Sequence, residues 1–158
     1  MLGSADWSER HVTPDQIAQK CATLMMARDA ASQGIGARVE AIGPGRAVMS
    51  MQVLAHMLNG HSICHGGYIF TLADSAFAFA CNSYNKVALA QQNQITYLSP
   101  GRAGERLTAV AEEVSRAGRS GVYDVMVTGE DGRAVATFRG LSRTLSQTHF
   151  EERPETAE

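Results

Sequence analysis

The stretch Asn59–Asn82, NGHSICHGGYIFTLADSAFAFACN, decides the reading of this chain. From Gly67 to Asn82 it predicts a helix whose residues are almost all apolar or small. Its only charge is Asp74. An ionised carboxylate is costly to bury without partners. Either Asp74 sits on a thin exposed edge of the helix, or it is there for chemistry. A helix that is apolar nearly all round must be covered on most sides, so the segments around it decide the architecture.

Upstream, Thr13-Pro14-Asp15-Gln16 predicts a helix start. Thr13 caps, Pro14 suits the first helical position and Gln16 stands where a capping-box partner belongs. Ile17, Cys21, Leu24 and Met25 share one face, which extends the helix over 14–31, with Gly34 and Gly36 ending it. Strand-like runs over 35–42 and 46–53 flank the turn Gly43-Pro44-Gly45. Residues 54–66 are a loop carrying His56, Asn59, His61, Cys64 and His65. Downstream of the apolar helix, four further strands are expected over 87–98, 105–116, 121–129 and 133–145. Ser99-Pro100-Gly101, Ala117-Gly118-Arg119 and Glu130-Asp131-Gly132 are their turns, so they are expected to run as an antiparallel meander. A curved sheet wrapped round the apolar helix would cover it. That layout, α+β with a curved antiparallel sheet around a long central helix, is the hotdog fold. One domain over 13–146 is expected, with a flexible arm over 1–12 and a flexible acidic tail over 147–158.

Composition narrows the function. The chain has 158 residues, 44% hydrophobic and 19% charged, with a formal net charge of −2. This length supports a full core without staples. No dense Lys/Arg block is present, which argues against nucleic acid or an anionic membrane as the main partner. No apolar run is long enough to span a bilayer, and the start lacks the apolar core of a signal peptide. Three irregularly spaced cysteines, Cys21, Cys64 and Cys81, do not suggest a disulfide scaffold. A cytoplasmic enzyme or binding protein is expected.

The run Asn59-Gly60-His61, Cys64-His65-Gly66-Gly67, Leu72-Ala73-Asp74 and Ala80-Cys81-Asn82 resembles the PaaI-type hotdog thioesterases of phenylacetate degradation. So do Tyr97-Leu98-Ser99-Pro100, Gly121-Val122-Tyr123-Asp124 and Phe138-Arg139-Gly140. The resemblance covers roughly residues 15–145. It implies hydrolysis of acyl-coenzyme A thioesters, with phenylacetyl- or hydroxyphenylacetyl-CoA as substrate. It implies no metal or cofactor beyond the coenzyme A of the substrate, and self-association as a homodimer and then a homotetramer. Residue by residue, it implies that Asp74 is the catalytic carboxylate and that the Gly66 N–H holds the thioester carbonyl. Asn59 and His65 are the supporting polar residues of the loop. Members of the family usually carry Ser or Thr on the strand after the helix. Here that region reads Ala90-Gln91-Gln92-Asn93, and Gln91 or Gln92 is the candidate to hold a water.

The chemistry agrees with these residue types. A helix N-terminus stabilises negative charge developing on a carbonyl oxygen, and Gly66-Gly67 lets a substrate approach that backbone closely. Partial desolvation makes Asp74 a better base or nucleophile. Gly66 and Asp74 are eight positions apart, about 12 Å along one helix. They cannot both reach one carbonyl within one subunit, so a two-fold dimer with antiparallel helices and shared sites is expected. Coenzyme A carries phosphates. Arg119 is the expected basic contact, with Tyr97, Arg143 and Gly67 as further substrate-binding candidates.

Plainer readings stand beside these. Asp74 on an exposed helix edge is the main one. His61 is expected to shape a turn, and His65 to orient the loop rather than act as a base. Zinc at His56, His61, Cys64 and His65 matches no common spacing. Cys64 lacks a base positioned to make it a nucleophile. Phe77 and Phe79 are expected core. The alternative functions are a hotdog acyl-thioester dehydratase or hydratase, and a non-catalytic acyl-CoA-binding sensor.

Overall fold

The computed structural model describes residues 12–152; most of the expected N-terminal arm and the last part of the expected tail lie outside the described residues. The elements are helices α1 (Pro14–Met26) and α2 (Ala30–Gly34), strands β1 (Arg38–Gly43) and β2 (Arg46–Gln52), helix α3 (Gly66–Cys81), and strands β3 (Ala88–Tyr97), β4 (Arg106–Ala117), β5 (Ser120–Thr128) and β6 (Ala134–Thr144). A short 3₁₀ turn, Ala55–Met57, lies in the loop before α3. No helix among them is long and apolar enough to cross a membrane.

The α1 start is as expected. Thr13 Oγ1 accepts from the Gln16 N–H at 3.2 Å, and Gln16 Oε1 accepts from the Thr13 N–H at 2.9 Å. Its end differs. The predicted single helix over 14–31 stops at Met26, and α2 is a separate helix. The cause is Asp29, whose Oδ1 accepts from the Ser32 N–H at 2.9 Å and so caps a new helix instead of continuing the old one. The first strand accordingly begins at Arg38 rather than residue 35.

All six strands pair antiparallel in the order β1-β2-β4-β5-β6-β3. The expected four-strand meander is therefore confined to β4-β5-β6. β3 does not pair with β4; it crosses to the far side of the sheet and pairs with β6. Ser99-Pro100-Gly101 is not a hairpin turn but the start of that crossing, with Gly101 packed on Cys64 and Leu107. Side chains alternate along the central strands. Leu107, Ala109, Ala111, Tyr123, Val125, Val127, Ala136 and Phe138 point into the core. There they meet Leu72, Ala73, Ala76, Phe77 and Ala80 of α3, which lies across β2, β4 and β5. A Cβ at Gly140 would lie 2.7 Å from the Phe77 ring, so glycine lets β6 close onto the helix.

Residues 147–152, expected to be loose, are tied down. The Val87 N–H donates to Gln147 O at 2.9 Å. Asn85 holds the rest: its Oδ1 accepts from the His149 and Phe150 N–H groups, and its Nδ2 donates to Phe150 O and Glu152 Oε1. Polar composition hides this segment from a sequence reading, because it is held by hydrogen bonds to residues 82–87, Asn85 above all.

Candidate active site

The first turn of α3 is built from the loop before it. The His65 N–H donates to Met57 O and the Cys64 N–H to Gly101 O, both at 2.8 Å. Asn59 Oδ1 accepts from the His61 N–H at 2.9 Å and, more weakly, from Ile63 at 3.4 Å. Asn59 and His61 thus close the loop. His65 is the N-cap of α3, and its Nδ1 accepts from the Gly67 N–H at 2.9 Å. That bond requires an unprotonated Nδ1, so in it His65 orients the helix start. Gly66 is the first helical residue, and its N–H has no acceptor among the described residues. It therefore carries the open, partly positive end of the helix. Tyr97 lies over it, with the hydroxyl donating to Gly66 O at 2.8 Å. A Cβ on Gly66 would come within 2.9 Å of the Tyr97 ring.

Asp74 is half-buried on α3, two turns further on. Its Oδ1 accepts from Asn93 Nδ2 at 2.7 Å. Burial raises the Asp74 pKa; the Asn93 hydrogen bond works against that rise, and the charge of Asp29 adds to it. Asn93 Oδ1 is itself buried without a partner among the described residues. The exposed-edge reading of Asp74 fails: the carboxylate is partly desolvated and held.

Asn93 is the partner of Asp74 that the sequence reading missed. Gln91 and Gln92 are exposed and make no hydrogen bond to Asp74. The reason is a bulge between Ala90 and Gln92 in the β3–β6 ladder. One extra residue reverses which side chains face inward, so Ala88 is buried before the bulge, while Asn93 and Ile95 turn inward after it. Arg119 and Arg143 are exposed near each other at one end of the sheet. Arg143 is opposite Ser120, and Arg119 Nε donates to Thr144 O at 2.9 Å. Cys64 is buried, and burial with the Glu105 charge pushes its thiol up to about 11, leaving no thiolate for attack near neutral pH.

Comparison with known proteins gives the family. The sequence profile of the thioesterase superfamily matches residues 61–136. The chain is 42% identical over 127 residues to the acyl-coenzyme A thioesterase PaaI of Escherichia coli, covering 80% of this chain and 91% of that protein. The chain therefore belongs to the thioesterase superfamily, in its PaaI-type hotdog branch, and is a thioester hydrolase. The structure of the E. coli PaaI protein from the phenylacetic acid degradation operon superposes with a TM-score of 0.85 at 40% identity, over 86% of this chain and 99% of that one. A thioesterase protein from Streptococcus pneumoniae, solved with coenzyme A, superposes with a TM-score of 0.74 at 26% identity, over 78% and 98% of the two chains.

Proposed function

We propose that this chain hydrolyses aryl-acetyl-CoA thioesters, phenylacetyl-CoA or hydroxyphenylacetyl-CoA, to the free acid and coenzyme A. Asp74 acts as base or nucleophile, and the Gly66 N–H receives the developing oxyanion. The observation that carries the reading is the pairing of a held, partly desolvated carboxylate with an unpaired N–H at the start of the same helix. In the water-mediated form, Asp74 takes a proton as water oxygen bonds to the thioester carbon, and the carbonyl electrons move onto oxygen at the Gly66 N–H. Collapse breaks the carbon–sulfur bond and releases the coenzyme A thiolate, which takes the proton.

Eight residues of helix put about 12 Å between the two groups, which supports a shared site: Asp74 of one subunit facing the Gly66 end of the other. β3 is one of the two edge strands, paired among the described residues with β6 alone, and Leu89, Tyr97 and Leu98 are exposed on it or just past its end. A second copy adding to this edge would cover them, giving a homodimer from which a homotetramer is built. Arg119 and Arg143 then border the coenzyme A phosphates.

The test is free-thiol release from phenylacetyl-CoA, with acetyl-CoA and a long-chain acyl-CoA alongside, for the natural protein and Asp74→Asn. The aryl thioester should be hydrolysed best, and Asp74→Asn should lose ~100-fold or more. A silent substitution removes Asp74 from the mechanism. Full activity in a species that sedimentation shows to be monomeric removes the shared site.

A further inference from the structure

Beside Asp74 runs a second polar thread that the reaction above does not use. Ser75, the next residue, is buried, and so is Ser32 of α2. Their hydroxyl oxygens are 2.8 Å apart. Asp29 Oδ2 accepts from the Ser32 hydroxyl at 2.6 Å, and Asp29 Oδ1 accepts from the Ser32 N–H at 2.9 Å. A carboxylate only accepts. The Ser32 proton therefore points to Asp29, and the Ser75 proton to Ser32. Both oxygens of Asp29 are thereby pinned, and two buried hydroxyl dipoles lead from it to the neighbour of Asp74. Two alanines would fill these positions without burying any hydroxyl, so packing alone does not account for the thread.

We infer that Asp29 is a positioning residue for Asp74: through Ser32 and Ser75 it pins α2 to the turn of α3 that carries Asp74, and it fixes a second negative charge on that side of the site. This rests on the proposed role of Asp74. The other groups around Asp74 do not supply such a charge. β3 contributes the neutral Asn93. On α3 itself Cys81 is a thiol pushed up to about 12, mainly by burial, and is neutral. The buried side chains of β2, β4 and β6 beneath the helix are uncharged apart from Glu105 beyond the β4 end, which bears on Cys64. On β5, the Tyr123 phenol bears on Cys81 and is raised mainly by burial, so it stays protonated. Burial is the main cause of the raised Asp74 pKa, and Asp29 is the charge that adds to it. With that charge gone, Asp74 becomes a weaker proton acceptor that stays ionised to lower pH.

The test is the pH profile of kcat/KM for thioester hydrolysis by the natural protein, Asp29→Asn, Asp29→Ser, Ser32→Ala and Asp74→Asn. Asn and Ser both remain good helix caps, so α2 survives while the charge is lost; the pair guards against one of them failing to fold. In both, the acid limb should move to lower pH, so that a larger fraction of the plateau rate is kept in acid, while the plateau falls several-fold. Ser32→Ala keeps the charge and should lower the plateau with a smaller movement of the limb. A lowered plateau with the acid limb unmoved in both Asp29 variants makes Asp29 merely structural and overturns the inference. Loss of activity in Asp74→Asn alongside that result leaves the Asp74 mechanism standing; retained activity in Asp74→Asn overturns both.

Discussion

The two ends of α3 are finished in opposite ways. At the N-terminal end His65 is exposed, the Gly66 N–H has no acceptor among the described residues, and the exposed Tyr97 ring lies over it. At the C-terminal end the polar groups are matched and sealed. Asn82 Nδ2 donates to Ala78 O at 2.9 Å and Ala88 O at 3.0 Å, and its Oδ1 accepts from the Ala88 N–H at 2.9 Å. Because that oxygen cannot donate, His149 Nε2 must give its hydrogen to it, at 2.9 Å. Ser83 Oγ donates to Ala80 O and accepts from the Gly45 N–H. Asn82, Ser83 and Asn85 are all buried. One helix thus carries an open donor at one end, where the proposed reaction develops charge, and a closed hydrogen-bond network at the other. The lesson is that polar residues on one apolar helix divide by whether their hydrogen-bonding capacity is already used.

The comparison breaks first at Asn82. Asn82→Ala leaves buried Ala88 groups unpaired and should cost about 3 kcal/mol of stability. Urea unfolding measures the loss. Thioesterase turnover per folded molecule should hold; if turnover collapses with stability intact, the sealed end is functional after all. Next is Gly66→Ala. Its Cβ pushes the exposed Tyr97 ring aside and disturbs the open donor, so kcat should drop ~100-fold, the scale of losing one oxyanion contact. The melting temperature should hardly move, and the reverse pattern would make the open end structural. The smallest effect is on pH. Burial lowers the His149 pKa in the folded state. The folded protein then binds fewer protons than the unfolded chain, so stability is full above the unfolded value of about 6.5 and is lost as pH falls below it. Unfolding curves between pH 8 and pH 5 should show this slope, and His149→Gln should flatten it.

Much of this was legible beforehand because it is local. The Thr13–Gln16 box, the Gly43-Pro44-Gly45 turn and the apolar helix with its lone carboxylate are each set by residues within a few positions of one another. The order of elements and the apolar helix gave the hotdog layout, and the family likeness agreed with it. The break between α1 and α2 was legible in principle: Asp29 is a standard cap residue three positions before Ser32, but the continuing apolar pattern outweighed it. The hold on residues 147–152 was not legible, since it depends on Asn85, more than sixty positions earlier.

What the sequence determined by itself was the identity and local setting of the candidate groups: an Asp within an apolar helix, two glycines at its start, and a His before them. Tertiary structure decided who meets them. The crossing of β3 to the β6 side sets the strand order, because its partner is chosen by where the chain can close around α3 and not by nearness in sequence. The bulge at Ala90/Gln92 turned Asn93, and neither glutamine, toward Asp74, since one inserted residue reverses every later facing on a strand. Asp29 came to bear on the site through two buried hydroxyls on different helices, a contact spanning 43 positions between Ser32 and Ser75 that only the packed core creates.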